Sequence, residues 1–156
     1  MDELLAALML WIGSNSAYST DSMPLPAVVL ATPEELTAEY YADAPRLAPT
    51  NGIDERVLAL YAFDDGPYGT VYALDCRHEG SFSHVLSTCD EPQFQERLLH
   101  ELVHHVQRLS GAYERLPCRA AGEKEAYRLG GRFLAARHAT DPLPNREFWA
   151  HVYSRC

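Results

Sequence analysis

Apolar positions recur along the chain with two different periods, and the change of period predicts its elements. Residues 2–13 place Leu4, Leu5, Leu8, Trp11 and Ile12 at helical spacing. A Ser-, Asn- and Pro-rich stretch from Ser14 to Pro26 reads as a loop, and Pro26–Ala31 is a short, nearly continuous apolar run that suits a buried strand. Thr32-Pro33-Glu34-Glu35 has the makings of a helix start: a capping hydroxyl, Pro at the first position, then acid at the positive end of the dipole. That helix runs to about Asp43, and Pro45–Gly52 is a second loop. Arg56–Phe63 and Thr70–Asp75 flank a turn-rich segment, Asp64 to Gly69, which predicts a β-hairpin. Ser83–Ser87 is a further strand candidate.

From residue 90 onward the period is helical throughout. Asp90 with Gln93 three residues on resembles a capping box, and Pro92 falls in the first turn. Leu99, Leu102, Val103 and Val106 form the stripe of that helix, and Gly111 suits its end. After a connection over Tyr113–Cys118, a long helix is predicted from about Arg119 to His138. A last helix is capped by Asn145 and turns Phe148, Trp149 and Val152 inward. The expected fold is therefore α+β in one domain: a helix and sheet half over 1–89, and a helical half over 90–156.

The composition fits one folded domain. The 156 residues are 47% hydrophobic and 22% charged, which excludes wholesale disorder. A net charge of −9 argues against a nucleic-acid partner, which calls for a basic face. The charge is uneven: three basic and fifteen acidic residues through Gln95, then ten basic and seven acidic. An acidic half beside a cleft would favour cationic substrates; a merely solvated acidic face is the plainer reading. Leu4–Ile12 is too short to span a bilayer. It follows Asp2 and Glu3 rather than basic residues, so it is not an intact signal peptide. Cys76, Cys89, Cys118 and Cys156 contain no C-x-x-C pair. Even, wide spacing suggests two disulfides and an extracytoplasmic (periplasmic or secreted) setting, with free buried thiols as the alternative. Of three pairings, Cys76–Cys89 closes a short loop and Cys118–Cys156 ties the C-terminus to the helical half.

The chemistry centres on His100-Glu101-Leu102-Val103-His104, an H-E-x-x-H pattern inside the helical stripe. Residues four apart share a helix face, so both imidazoles can meet one ion, while Glu101 sits about 100° further round and can reach a water without being a ligand. Two His ligands and a Glu base on a helix describe a zinc hydrolase site. His105 projects away from the pair and reads as a surface or supporting residue.

A catalytic zinc takes a third protein ligand. The metzincin spacing fails here, because Gln107 and Ser110 stand where Gly and His are needed. The second helix offers Glu123 and Glu125. Glu123 shares a stripe with Ala126, Tyr127, Gly130 and Leu134, and the small residues there permit close approach to the first helix. Glu125 aligns with Arg128 and Arg132 on a basic, solvated face. Glu123 is the better candidate and Glu125 the alternative.

His100-Glu101-x-x-His104 followed by Glu123-x-x-Ala126 resembles the gluzincin pattern. It also resembles small bacterial proteins of unknown function carrying H-E-x-x-H-x-x-Q, completed here by Gln107, with a later E-x-E-A. The resemblance covers about residues 90–135. It implies a zincin-like fold, His100, His104 and Glu123 as zinc ligands, Glu101 as catalytic base, and hydrolysis of a peptide or protein substrate. One departure is Tyr127, which stands where gluzincins often have an Asp that orients a ligand His; a phenol carries no charge at pH 7. Tyr113, Tyr127, His138, His151 and Tyr153 are candidates to stabilise an oxyanion. The strand before the metal helix, Thr70–Asp75 or Ser83–Ser87, is the expected edge for an extended peptide. The rival readings are a zinc domain without catalysis and a disulfide-stabilised binding domain with an accidental motif.

Overall fold

The computed structural model describes residues 1–77 and 89–156. The predicted strand Ser83–Ser87 lies outside the described residues. Among the described residues five α-helices and a three-stranded sheet make an α+β fold: α1 (Asp2–Asn15), β1 (Ala27–Ala31), α2 (Pro33–Tyr40), β2 (Ala59–Ala62), β3 (Thr70–Leu74), α3 (Pro92–Leu109), α4 (Glu123–Ala136) and α5 (Arg146–Tyr153).

The hairpin forms as its turn residues require, β2 running antiparallel to β3 with Leu60 opposite Tyr72. β1 adds on the other side of β3 in parallel, giving the order β1-β3-β2. Of the two strands expected to offer a peptide-binding edge, Thr70–Leu74 is central with both sides paired and has no free edge, and Ser83–Ser87 lies outside the described residues; the edges among the described strands are β1 and β2. Leu74 N donates to Leu58 O (2.9 Å). Antiparallel pairs alternate, so Leu60 and Ala62 point their backbone groups at β3, and Ala59 and Tyr61 point theirs outward.

α3 is the axis of the core. Its Phe94, Leu98, Leu99, Leu102, Val103 and Val106 are buried, packing against Leu5, Leu8 and Ile12 of α1, Val71 and Ala73 of β3, and Leu129 and Phe133 of α4. The Trp11 ring meets Phe133 edge-on at 5.3 Å. The close approach of α4 expected from its small residues is specific: a Cβ at Gly130 would run into Glu96 Oε1 on α3.

The start of α2 is a full capping box, with Glu35 N donating to Thr32 Oγ1 (3.2 Å) and Thr32 N to Glu35 Oε2 (2.9 Å). The box expected at Asp90 does not form. α3 begins at Pro92, whose ring fixes the first helical φ, and Glu91 occupies the cap without a side-chain bond. Arg119–Gly122 is a 3₁₀ turn, so α4 starts only at Glu123. Asn145 caps α5 by position, but it sits in the left-handed region (φ 57°) with no capping bond. On α5 Trp149 and Val152 are half-buried as expected and Ala150 is buried, but Phe148 is exposed. Arg146 is half-buried at the start of the helix and donates to Glu96 Oε1 (2.7 Å) on α3 and to Asp141 Oδ2 (2.7 Å).

Both predicted disulfides are formed, Cys76–Cys89 and Cys118–Cys156. Among the described residues no helix is long and apolar enough to cross a membrane.

Candidate metal centre

The i, i+4 spacing on α3 turns His100 and His104 to the same side, with ring centroids 5.0 Å apart. α4 brings Glu123 across to them: His100 Nε2 lies 3.0 Å from Glu123 Oε2, and His104 Nε2 lies 3.4 Å from Glu123 Oε1. One ligand atom from each of the three residues falls within 4.8 Å of the others. Two imidazole nitrogens and a carboxylate oxygen at this separation fit a divalent transition metal by number and by donor type. His100, His104 and Glu123 could hold a metal ion.

The electrostatics agree with a cation-binding cluster. Burial opposes the charge on Glu123, yet its bonds to His100 and His104 hold it well below the usual carboxylate range. Burial likewise disfavours a charged His100, but the Glu123 bond and the charges of Glu101 and Glu123 raise its pKa. Glu101 is different. It is 8% exposed, its carboxyl has no hydrogen-bond partner among the described residues, and burial pushes its pKa up.

Glu125 occupies another place. Its Oε2 accepts from Tyr18 Oη (2.6 Å) and from Gln107 Nε2 (3.1 Å), so it is half-buried against α3 and the segment after α1 rather than on a solvated basic face. Arg128, its expected companion, pairs instead with Glu147. His104 Nδ1 lies 3.1 Å from Gln107 Oε1 and 2.9 Å from Tyr113 Oη. Tyr127, at the position of the missing Asp, makes no such bond; its ring meets His100 edge-on at 4.8 Å.

Of the two places expected for His105, the surface is excluded: the residue is fully buried, with Nε2 2.8 Å from Pro24 O and Nδ1 3.0 Å from Tyr68 O. It faces away from the metal ligands, as expected, but that direction leads into the seam between α3 and the turn of the hairpin. Helical spacing gave the direction and could not show that the sheet stands there.

Two open cavities meet at the site. One, of about 500 Å³, is lined by Asp54, Ala59, Tyr61, Phe63, Tyr113 and Arg119 together with His100, Glu101, His104 and Glu123. The other, about 690 Å³ and more apolar, is walled by Leu58, Pro142, Leu143 and Trp149. Arg56, Ala59, His100, Glu101, Tyr127 and Tyr153 line both. The charges along this cleft nearly balance: Asp54, Glu101 and Glu123 against Arg56 and Arg119 in the first half, and Glu91, Glu96 and Glu101 against Arg56, Arg97 and Arg146 in the second. Among the described residues the acidic excess of the N-terminal half is thus not collected at the cleft. Of the tyrosines and histidines considered for an oxyanion, Tyr113, Tyr127 and Tyr153 line the cleft, Tyr113 with its oxygen 2.9 Å from His104 Nδ1, and His138 and His151 sit at exposed positions outside its lining.

The bonds of Gln107 and Tyr113 to His104 did not follow from the motif alone. The available signal was spacing: Gln107 stands three residues after His104 and so shares its face.

Comparison with known families matches residues 86–154, which hold α3, α4, α5 and all three possible metal ligands, to the family described as Domain of unknown function (DUF6647). No curated protein and no solved structure matches the chain.

Proposed function

We propose that this protein is a zinc-dependent peptidase of zincin-like fold, with His100, His104 and Glu123 as the zinc ligands and Glu101 as the general base. The observation that carries the reading is Glu101: a buried carboxyl beside the three-residue cluster, without a hydrogen-bond partner among the described residues, lining both halves of the cleft. Zinc, when bound, supplies Lewis acidity toward a carbonyl and lowers the pKa of water. Glu101 then takes a proton from the attacking water and delivers it to the leaving amine. Burial keeps its proton affinity above that of a solvated carboxylate, which suits both halves of that transfer.

An extended peptide fits the remaining walls. The outward backbone groups of Ala59 and Tyr61 on β2 border the cleft and offer strand-type hydrogen bonds. The apolar wall of Leu58, Leu143 and Trp149 accommodates a side chain. Tyr127 and Tyr153 are the phenols available to an oxyanion; burial and the charge of Glu123 keep Tyr127 protonated and therefore a donor. Two disulfides support an extracytoplasmic setting.

The test is Glu101→Gln, assayed by peptide-library cleavage alongside zinc content. Zinc should remain at one per chain while cleavage falls by about 10²–10⁴-fold. Equal cleavage by variant and parent contradicts the mechanism. Zinc bound without cleavage by either protein would point to a zinc domain with no catalysis.

A further inference from the structure

The Gln107 side chain has only one workable orientation. Its Nε2 lies 3.0 Å from Gly122 O and 3.1 Å from Glu125 Oε2. A carbonyl and a carboxylate only accept, so the NH₂ must face them; flipping the amide would set its oxygen against two acceptors. Glu125 is in turn held by the Tyr18 hydroxyl, which donates to the same Oε2 (2.6 Å). Gly122 is part of the arrangement, since a Cβ there would come within 2.6 Å of Gln107 Oε1 and 3.0 Å of the Tyr113 ring.

With the amide fixed, Gln107 Oε1 faces His104 Nδ1 at 3.1 Å and can only accept. Nδ1 must therefore carry the hydrogen. The Tyr113 oxygen at 2.9 Å becomes a second acceptor of that hydrogen, because a protonated Nδ1 has no lone pair to receive one. In the neutral imidazole Nε2 then keeps its lone pair, on the side of Glu123 Oε1 (3.4 Å). Two electron-rich atoms facing each other are compatible with a cation between them.

We propose that Glu125, acting through Gln107, is a positioning residue that holds His104 in the Nδ1–H tautomer and so presents the Nε2 lone pair to the metal. This rests on the reading of His104 as a metal ligand, and not on peptide cleavage. It also gives the second carboxylate of Glu123-Lys124-Glu125 a role distinct from that of a ligand. It supplies from the far side of α4 the orienting negative charge that Tyr127 lacks.

The experiment is long-range proton–nitrogen NMR on the full chain labelled with ¹⁵N-histidine, with and without zinc, paired with zinc affinity from chelator competition. Wild-type His104 should show Nδ1–H in both states. Gln107→Leu and Glu125→Ala should mix the tautomers of the zinc-free protein and weaken zinc about 10–100-fold. Glu125→Gln, which keeps an acceptor oxygen, should retain more affinity than Glu125→Ala. A neutral His104 in the zinc-free wild type with its hydrogen on Nε2 and none on Nδ1 overturns the proposal even if no variant folds, and so does wild-type zinc affinity in Gln107→Leu. Nδ1–H with tight zinc but no cleavage of any peptide supports it while removing the peptidase reading.

Discussion

Replacing Arg146 by Met tests how the fold holds the aromatic wall of the cleft. The Arg146 side chain is 11% exposed and that of its partner Glu96 8%, so their 2.7 Å contact is a buried pair. Asp141 takes the other face of the guanidinium through two bonds, 2.7 and 2.8 Å, and is one-third exposed, so its share is small. Met preserves much of the stem volume but leaves Glu96 as an unpaired buried carboxylate packed over Gly130. Breaking one side of a buried pair costs about 3–5 kcal/mol, a large part of the roughly 5–15 kcal/mol that holds a domain together. At this chain length the melting temperature should fall by roughly 6–20 °C. Urea and thermal unfolding of the wild type, Arg146→Met, Glu96→Leu and the double variant give the measurement. The double variant should recover most of the loss, because an apolar pair of similar volume needs no charge partner. If Arg146→Met lies within about 0.5 kcal/mol of the wild type, or if the two single effects simply add, the pair does not anchor α5. The anchor also bears on the site, since the same helix carries Trp149 and Tyr153 into the cleft.

Further outcomes follow from other parts of the structure. His105→Ala should cost at least the about 1–3 kcal/mol of an orphaned buried acceptor, Pro24 O, measured by chemical denaturation at constant zinc; a neutral effect would mean the seam between α3 and the hairpin is wet. Asp54 is held well below the usual carboxylate range, chiefly by its bonds to Arg56. A depressed folded pKa gives stability that is present above the unfolded value, about 3.9, and lost as pH falls through the folded one. Asp54→Asn should therefore flatten the acid arm of the stability curve below about pH 4; an unchanged arm refutes the assignment. Replacing Cys118 and Cys156 by Ser should cost about 4 kcal/mol, for a bridge spanning 38 positions, read by urea unfolding without reductant.

How far the sequence carries the account depends on whether a feature is local. The shared face of His100 and His104, the capping hydroxyl of Thr32, the hairpin and the placing of Glu123 toward those histidines rest on spacings of three or four residues, or on turn chemistry within one segment, and each is found in the structure. The misses are non-local. The surface alternative for His105 fails because Pro24 and Tyr68 close over that face, which helical periodicity cannot say. Glu125 looked solvated because its partners, Tyr18 and Gln107, come from elements 107 and 18 residues away. Phe148 looked inward because helical spacing cannot show that Arg146, counted as polar, takes a half-buried place on α5 through Glu96. Thr70–Leu74 is not the edge expected of it because sheet order, with β1 joining β3 in parallel, is set by packing across the whole chain and not by any one run of residues.

The claim that matters most is that α3 and α4 together form a zinc site. Anomalous diffraction at the zinc edge from crystals of the zinc-supplied protein addresses it directly. The account predicts one peak at about 2.0–2.2 Å from His100 Nε2, His104 Nε2 and a Glu123 carboxylate oxygen, with Glu101 and Glu125 outside bonding distance. A peak ligated by Glu125 in place of Glu123, or no peak between α3 and α4, would contradict it.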